Sequence, residues 1–368
     1  MVRVPISVQL CPYEAVIESG LLERAGACLR EFFPGHRRCF VVTVPPIRKK
    51  WGKRLMASLA AASWEAKMME MRDGERYKTL ATVEDLSEKL VRLGADRNAV
   101  ILAFGGGVVG DVGGFLASVY MRGIDVVQAP TTVLAQVDAS IGGKTGVNLK
   151  AGKNLVGTFH QPRLVLIDPQ VLTTLPERDF RSGLYEALKC GIIGKPELFY
   201  RMEKQHDRIL QRDPVELEWL ISESVKLKAE VVSADEREGG LRRVLNFGHT
   251  IGHALEAETK YRYFLHGEAI AWGMIAAARI GAVTGKTDEA TAKRITGGVL
   301  GLGPLPGVNV RIENIVQLLQ ADKKTKNGIV HFILPTKIGK VEVVSDVPTE
   351  VVTEAIAELR RLSRTLRN

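Results

Sequence analysis

The sequence predicts an α/β domain with a parallel sheet, followed by a mainly α-helical domain. In the first part of the chain, short apolar runs alternate with helical stretches, as in strand–helix–strand units. Beyond residue 176 the apolar residues recur at helical spacing, and few strand signals remain. The 368 residues suffice for two domains, at roughly 100 to 200 residues each. We therefore assign 1–176 to the α/β domain and 177–368 to the helical domain.

The elements of the first domain follow from its apolar runs. The opening segment 3–17 is predicted to form a hairpin, and helices are predicted at 46–63 and 82–93. Strands are predicted at 38–44, 66–71, 99–104, 125–128 and 164–167. Strands that alternate with helices in this way pair in parallel.

The second domain consists mainly of helices. They are predicted at 178–190, 214–234, 247–259, 267–285, 288–300 and 348–364. Two short segments, 329–334 and 340–344, have the pattern of a hairpin. We see no internal repeat and no low-complexity segment.

The charge balance favours a small anionic substrate. The chain has 51 Lys and Arg against 42 Asp and Glu, a net charge of +9, which also suits nucleic acid or a membrane surface. However, basic and acidic residues are interleaved almost everywhere. The densest basic cluster, at 360–364, ends a predicted helix, where cations complement the helix dipole. We therefore expect no nucleic-acid partner.

We expect a cytoplasmic protein with reduced thiols and no membrane partner. No apolar run approaches the ~18 residues that span a bilayer, and the N-terminus lacks the apolar core of a signal peptide. The four cysteines show no CxxC spacing, which argues against disulfides and against a thiolate zinc site.

A glycine-rich turn is the first candidate site. It spans 105–114, follows the predicted strand 99–104, contains GxGxxG at Gly105, Gly107 and Gly110, and runs into a helix predicted at 115–121. Glycine lets backbone amides approach a pyrophosphate, and the helix dipole favours negative charge. The match differs from the Rossmann fingerprint, since it lies in the third βα unit and no ribose-binding acid follows about 20 residues on. A turn that serves only tight packing is the alternative.

Two lysines and an asparagine stand in the glycine-rich stretch that follows. The fragment GKT at 143–145 resembles the end of a P-loop, but Asp138 occupies the position of its leading glycine. The residues Lys144, Lys153 and Asn154 suit charge-assisted contacts with a phosphate or carboxylate. Solvated loop lysines are the alternative interpretation.

Three histidines form the strongest chemical signal. His249 and His253 are four residues apart, hence on one helix face, and His266 follows a short loop. Two or three neutral imidazoles with a distant carboxylate would form an open catalytic zinc site. Thr250 stands where HExxH has its glutamate, so a metalloprotease is not predicted. Core histidines are the alternative, and spacing alone does not choose the carboxylate.

Six motifs together carry a family resemblance. They are GGGVVGD at 105–111, YMRG at 120–123, PTTVLAQVDASIGGKTGVN at 130–148, GKN at 152–154, LNFGHTIGHA at 245–254 and HGEAIAWGM at 266–274. The chain resembles the 3-dehydroquinate synthase family over about residues 70–345. The resemblance implies a dehydroquinate synthase-like fold with an NAD-binding glycine loop in the α/β domain and a metal site in the helical domain.

The resemblance also implies a reaction of the shikimate pathway, toward chorismate and the aromatic amino acids. A 3-deoxy-D-arabino-heptulosonate 7-phosphate becomes 3-dehydroquinate and phosphate by transient oxidation, phosphate elimination, re-reduction and intramolecular aldol closure. NAD is then catalytic, with no net oxidation. A substrate with a phosphate and a carboxylate needs several fixed cations, which accounts for Lys144, Lys153, Lys189, Lys228 and Arg242.

The resemblance assigns roles to individual residues. The ligands of zinc, or of cobalt, would be Glu186, His249 and His266. This leaves His253 to substrate binding and proton transfer. The substrate pocket would comprise Asp138, Lys144, Asn154, Lys189, Lys228, Arg242, Asn246 and His253, with a lysine of 322–324 closing over it. The cofactor would contact Asp73, Gly74, Glu75, Arg76, Tyr77, Lys78, Gly106, Gly107, Val108, Val109, Gly110, Asp111, Thr131, Thr132, Lys144, Lys153, Val171, Leu172, Thr173 and Thr174.

Two further features concern the subunit and the cofactor ribose. Arg122, in YMRG, would reach the phosphate bound by a neighbouring subunit, which implies a homodimer. Relatives commonly carry Asn or Asp after the strand that ends near Thr43, but this chain has Val44-Pro45-Pro46. A ribose contact from that turn is therefore not expected.

Three other functions compete with this interpretation. A metal-dependent alcohol or polyol dehydrogenase of the same architecture would consume NAD stoichiometrically and has no use for so many phosphate-binding cations. A sugar phosphate cyclase of secondary metabolism would tend to differ at the positions of Arg242, Asn246 and His253. A nucleic-acid binder would show salt-dependent binding of random DNA.

Overall fold

The computed structural model describes residues 1–9, 11–35, 38–325, 330–345 and 347–366, with no side chains described at 321–325. The chain forms two units, one of Met1–Pro176 with Leu217–Arg237 and one of Glu177–Glu216 with Glu238–Asn368. The sequence analysis assigned Leu217–Arg237 to the second domain instead. This segment joins the first unit because its side chains bind the N-terminal region: Ser233 Oγ accepts the Ser7 amide at 2.9 Å. The division into domains 1–176 and 177–368 therefore remains a prediction from the sequence.

A seven-stranded sheet organises the first unit. The strands of this unit are β1 (Val2–Ile6), β2 (Tyr13–Ile17), β3 (Arg38–Thr43), β4 (Glu65–Glu70), β5 (Val100–Gly105), β6 (Asp125–Pro130), β7 (Lys144–Leu149), β8 (Gly152–Phe159) and β9 (Leu164–Ile167). The sheet order is β1-β2-β9-β6-β5-β3-β4, with β1 and β2 antiparallel and all other neighbours parallel. The predicted parallel sheet and the opening hairpin are confirmed.

Five helices of the first unit's N-terminal segment connect these strands in the described ranges. They are α1 (Ala25–Phe32), α2 (Pro45–Ile47), α3 (Lys53–Ala61), α4 (Leu80–Arg92) and α5 (Gly107–Val119). Helix α4 shows the physical basis of the pattern, because Val83, Leu86 and Leu90 lie on its buried face. Thr79 caps it, accepting the Thr82 amide at 3.3 Å. The helix predicted at 46–63 is interrupted by a π turn at Arg48–Gly52.

Strands β7 and β8 form an antiparallel hairpin that the sequence analysis treated as loops. Glycines normally weaken strands, which is why this stretch was not predicted as extended. Here Gly146 pairs with Gly157, and a Cβ atom at Gly157 would lie 2.1 Å from the Thr145 carbonyl oxygen. The glycines therefore allow the two backbones to approach closely.

The second unit is helical, as predicted. Its helices are α6 (Glu177–Ile193), α7 (Pro196–Lys204), α8 (His206–Leu210), the start of α9 (Pro214–Ala234), α10 (His249–Glu258), α11 (His266–Val283), α12 (Glu289–Gly301), α13 (Ile312–Thr325) and α14 (Thr349–Thr365). Strands β10 (His331–Lys337) and β11 (Lys340–Ser345) form the predicted hairpin. Helix α11 is almost entirely buried and packs against α6, α10, α12 and α14.

Two further observations concern the chain as a whole. None of the helices in the described part of the chain is both long enough and apolar enough to cross a membrane. The four cysteines are free thiols, and Cys28, Cys39 and Cys190 are buried. Burial raises the pKa of the Cys39 thiol to about 12, so this thiol is inert at neutral pH.

Candidate active site

Three helices of the second unit bring two imidazoles and a carboxylate together. Glu186 lies on α6, His249 begins α10 and His266 begins α11. Oε1 of Glu186 lies 4.0 Å from Nε2 of His249 and 3.6 Å from Nε2 of His266. The two imidazole rings are 5.4 Å apart between centroids. This set of donors has the composition of an open zinc site, with two nitrogens and one carboxylate.

Glycines in the motifs explain why these helices approach so closely. A Cβ atom at Gly267 would fall 1.8 Å from the Ser182 carbonyl oxygen of α6, one turn before Glu186. A Cβ atom at Gly273 would fall 1.9 Å from the Gly248 carbonyl oxygen, which precedes α10. Only glycine permits these backbone contacts, which set the spacing of α6, α10 and α11 at the site.

The Glu186 carboxylate is buried without a regular hydrogen bond. Its side chain is 1% exposed and forms a close ion pair with Lys189, one turn further along α6. Neither of its oxygens accepts a hydrogen bond of regular geometry from the described residues. The Lys189 ammonium balances the charge, but both oxygens keep hydrogen-bond acceptor capacity that a ligand can fill. The position therefore fits a bound cation.

His249 is held as a neutral imidazole. Its Nδ1 donates to the Phe247 carbonyl oxygen at 3.1 Å, which leaves the Nε2 lone pair directed at Glu186. Burial lowers the pKa of His249 well below its usual value, and the Lys189 ammonium lowers it further. A neutral imidazole is the form that binds metals.

His266 has a different partner, which the sequence analysis missed. Its Nδ1 lies 3.2 Å from Oε2 of Glu256, a buried residue of α10. Burial alone would lower the pKa of His266, but its hydrogen bond to Glu256 and the Glu186 charge raise it overall. The signal that could have found Glu256 is its spacing: it lies on the helix face of His249 and His253, three residues after the latter.

The position of His253 leaves its role open. The rings of His249 and His253 are 5.1 Å apart between centroids, and those of His253 and His266 are 5.8 Å apart. One ligand atom from each of the three histidines lies within 4.8 Å of the others, as a metal site requires. His253 is exposed, whereas the other two are partly buried. Geometry alone is therefore compatible with a ligand or with a group that faces a substrate.

Arg178 and Glu268 fix the N-terminus of α11, a second feature that sequence reasoning missed. Arg178 Nε and Nη2 donate to the two Glu268 oxygens at 2.6 and 2.7 Å. Glu268 also accepts the Leu265 amide at 2.8 Å, and Arg178 donates to the Tyr263 carbonyl oxygen at 2.8 Å. These bonds hold the residues before and after His266.

Three other residues of the second unit were predicted to bind the substrate. Arg242 and Asn246 belong to a 3-10 turn, Leu241–Asn246, which ends just before the motif with His249. Arg242 is 2% exposed, and Lys189 is equally buried beside Glu186. The side chains at 322–324, predicted to close the pocket, lie outside the described residues.

The glycine-rich segment of the first unit follows a strand and leads into a helix, as predicted, but the helix begins at Gly107 and not at 115. Strand β5 ends at Gly105, and α5 begins at Gly107. Thr131 donates its amide to the Gly105 carbonyl oxygen at 2.9 Å, yet its hydroxyl is buried with no hydrogen-bond partner among the residues described. A Cβ atom at Gly106 would lie 3.1 Å from the Thr132 methyl group. The loop is thus a narrow cradle with amides and an unused hydroxyl.

A hydrogen-bonded network joins predicted residues beside this loop. Lys78 is buried and contacts both Asp111 of α5 and Asn154 of β8. Burial raises the pKa of Asp111, and the Lys78 charge opposes that shift. Asn148 donates to Glu75 at 2.8 Å, so the loop before α4 is tied to the β7–β8 hairpin.

Lys228 and Asp138 form a second pair in the first unit. Lys228 is 6% exposed, and its ammonium donates to the Asp138 carboxylate at 2.7 Å and to its carbonyl oxygen. Lys144 begins β7 and is exposed, and Lys153 lies 4.0 Å from Glu75. Two predicted substrate residues, Lys228 and Asp138, are therefore in direct contact.

The other predicted residues of the first unit are more varied. Asp73, Gly74, Arg76 and Tyr77 lie between β4 and α4. Trp51 donates to the Thr174 hydroxyl at 2.8 Å, in the 3-10 turn that also holds Thr173. The side chains of Val171 and Leu172 are buried, as is that of Val109, whereas Val108 is half-buried. Arg122 is exposed in a left-handed turn with φ of 69°.

Comparison with known proteins decides the family. The model of the 3-dehydroquinate synthase N-terminal domain matches residues 68–182, and that of the C-terminal domain matches 183–325. The chain belongs to the 3-dehydroquinate synthase family. The 3-dehydroquinate synthase of Koribacter versatilis is 58% identical over 363 residues, 99% of each chain. The family expected from the motifs is therefore confirmed.

Solved structures of related cyclases share the fold. A 2-epi-5-epi-valiolone synthase from Streptomyces hygroscopicus subsp. jinggangensis, with NAD+ and Zn2+ bound, is 30% identical with a TM-score of 0.87, covering 97% of this chain and 99% of that one. A 2-deoxy-scyllo-inosose synthase complexed with carbaglucose-6-phosphate, NAD+ and Co2+ is 27% identical with a TM-score of 0.85 and the same coverage. The predicted dehydroquinate synthase-like fold is confirmed.

Proposed function

We propose that the protein converts 3-deoxy-D-arabino-heptulosonate 7-phosphate to 3-dehydroquinate and phosphate, with NAD and a divalent metal, zinc or cobalt. The observation that carries the proposal is the buried Glu186 carboxylate, which has no regular hydrogen bond in the described structure and faces two imidazole nitrogens, in a chain whose motifs and relatives are those of this family. Because phosphate leaves from carbon, the net reaction is that of a carbon–oxygen lyase. A cytoplasmic location is part of the proposal.

Glu186, His249 and His266 hold the metal in this proposal. Each imidazole presents Nε2 toward Oε1 of Glu186, at 4.0 and 3.6 Å, and the carboxylate has no competing regular hydrogen bond in the described structure. Three protein ligands leave a coordination position for a substrate oxygen. We therefore assign His253 to the substrate, because a fourth protein ligand would fill that position.

The first unit holds the dinucleotide. The amides of the glycine loop and the buried Thr131 hydroxyl suit a pyrophosphate, and Lys78 with Asp111 lies beside them. When bound, NAD supplies a reversible hydride acceptor, and the divalent cation supplies a positive charge that polarises a substrate oxygen. The remaining predicted cofactor residues, including Val171, contribute through backbone groups where their side chains are buried.

The other polar residues bind the substrate and move its protons. Lys144, Lys153, Lys189, Lys228 and Arg242 supply the cations that a phosphate and a carboxylate need. Asp138 orients Lys228 through the contact at 2.7 Å, and Asn154 and Asn246 donate neutral hydrogen bonds. His253 transfers protons to and from the substrate, since it is the exposed imidazole of the cluster.

A homodimer is part of the proposal. Exposed apolar side chains lie near Arg122 in sequence and on the neighbouring hairpin: Val119 ends α5, Met121 follows it, and Leu155 and Phe159 lie on β8. A hydrogen bond of 2.8 Å from Thr158 to Ser118 holds these two elements together. Mixed dimers of Arg122→Ala and His249→Ala test the idea, because they contain one intact site if Arg122 acts across the interface. No regained activity under demonstrated subunit exchange contradicts it.

The deciding experiment follows phosphate release with NAD at a small fraction of the substrate concentration. We expect many phosphates per NAD and no lasting absorbance of NADH, because the same cofactor is oxidised back within each turnover. Reactions without NAD or without metal serve as controls. Accumulation of one NADH per turnover would instead establish a dehydrogenase of the same architecture and reject the proposed reaction.

A further inference from the structure

Glu256 is a buried carboxylate to which the proposed reaction gives no role. It lies near the end of α10, on the face that carries His249 and His253. Its side chain is 6% exposed, and its Oε2 lies 3.2 Å from Nδ1 of His266. Burying a carboxylate is costly unless it is paired, so this contact is a built feature of the site.

The contact determines which nitrogen of His266 carries the proton. An ionised carboxylate only accepts hydrogen bonds, so Nδ1 donates and the neutral ring keeps its lone pair on Nε2. Nε2 is the nitrogen that lies 3.6 Å from Oε1 of Glu186. The imidazole of His266 therefore connects two carboxylates, one at each of its nitrogens.

The two imidazoles of the site differ in the charge of the group that orients them. Nδ1 of His249 donates to a neutral carbonyl oxygen, that of Phe247, at 3.1 Å, whereas Nδ1 of His266 meets a carboxylate. A carboxylate partner fixes the ring and increases the basicity of the ligating nitrogen. We propose that Glu256 is a positioning residue that orients His266 and strengthens its bond to the metal. This inference rests on the proposed ligands Glu186, His249 and His266.

The test is the Zn2+ affinity of the full-length metal-free protein, measured by competition with a chelator. Glu256→Ala should bind Zn2+ roughly 10- to 100-fold more weakly than the natural protein, and Glu256→Gln should lose less. Glu258→Gln is the matched control, because Glu258 lies on the same helix and accepts Asn314 at 2.7 Å. It removes the same charge without touching His266, so its affinity should not change.

A second measurement separates positioning from mere stability. At a pH high enough to keep the ring neutral, the 15N shifts of His266 in the metal-free protein should show the Nδ1–H tautomer. Glu256→Gln should admit the Nε2–H tautomer under the same conditions, because an amide can also donate to Nδ1. Glu256→Gln therefore decides the question even if Glu256→Ala does not fold. Unchanged affinity and tautomer in Glu256→Gln, or an equal loss of affinity in Glu258→Gln, would overturn the inference. Failure of the natural protein to bind Zn2+ would instead reject the proposed metal site.

Discussion

Two ion pairs with buried lysines, one in each unit, have similar charges but different surroundings. Lys78 of the first unit contacts Asp111 and also donates to Asn154. Lys189 of the second unit contacts Glu186, whose oxygens accept no regular hydrogen bond within the described ranges. The first pair belongs to a network that the protein completes by itself. The second keeps acceptor capacity, which is what a metal site needs before its cation binds.

The largest effect on activity should follow from removing one of the proposed metal ligands, Glu186, His249 or His266. Glu186→Ala, His249→Ala and His266→Ala should each purify without metal and lack activity, because two protein ligands hold a cation poorly. Elemental analysis and phosphate release measure the two losses. His206→Ala, in the same unit but on α8, should keep its metal. Full metal content in Glu186→Ala would show that the carboxylate is a structural group instead.

A substitution of His253 tests whether this residue binds the metal or the substrate. His253→Ala should keep its metal and bind NAD normally, while turnover falls by roughly 10²- to 10⁴-fold, as expected for loss of a positioned acid–base group. Metal content, NAD titration and phosphate release are measured on the same preparation. A variant that purifies without metal would make His253 a ligand, in agreement with the clustering of the three histidines.

The ion pair between Lys78 and Asp111 should contribute to the free energy of unfolding. Lys78→Met leaves the Asp111 carboxylate without its cation in a partly buried position, and breaking such a pair costs up to about 3 kcal/mol. Lys153→Met is the control, since its ammonium lies 4.0 Å from Glu75 near the surface, where a pair contributes under about 1 kcal/mol. Urea unfolding measures both. Equal effects would remove the distinction drawn between a completed pair and a surface contact.

The exposed ion pair between Arg181 and Glu177 should have the smallest effect on stability. The hydrogen bond from Arg181 lowers the pKa of Glu177, although partial burial opposes the shift. An acid with a lowered pKa stabilises the fold above its usual value of 4.5 and loses that contribution as the pH falls through the folded pKa. Glu177→Gln should therefore cost about a few tenths of a kcal/mol at neutral pH and nothing in strong acid. The free energies of unfolding of the natural protein and of Glu177→Gln should be measured from neutral to acidic pH. A difference between the two proteins that grew on acidification would contradict the assignment.

The fold could be predicted wherever local pattern and burial agree. Strands β3 and β5 are continuous buried apolar runs, and α4 has a capping threonine with a regular buried face. Helices α1, α7 and α8 were not predicted, and none of them has a side-chain cap to mark its start. Helix α13 was missed as well. The β7–β8 hairpin was missed because the reason for its glycines, a close contact with the opposite strand, is visible only in the folded structure.

The candidate site could be predicted only in part, for a similar reason. Helical spacing reveals His249 and His253, and a short loop adds His266. Glu186 came from the family resemblance alone, because it lies on another helix and no spacing relates it to the histidines. Glu256 and Arg178 act on the site through contacts that exist only once the helices have packed.

Gly267 has a consequence for the redesign of the proposed metal site. Its contact with the Ser182 carbonyl oxygen determines how far the backbone of α11 stands from that of α6. The span that a cation must bridge is therefore set by two main chains, and exchanging Glu186 or His266 for other donors changes the preferred element without changing that span. Selection for an ion of a different radius should begin at the glycine and adjust the ligands afterwards.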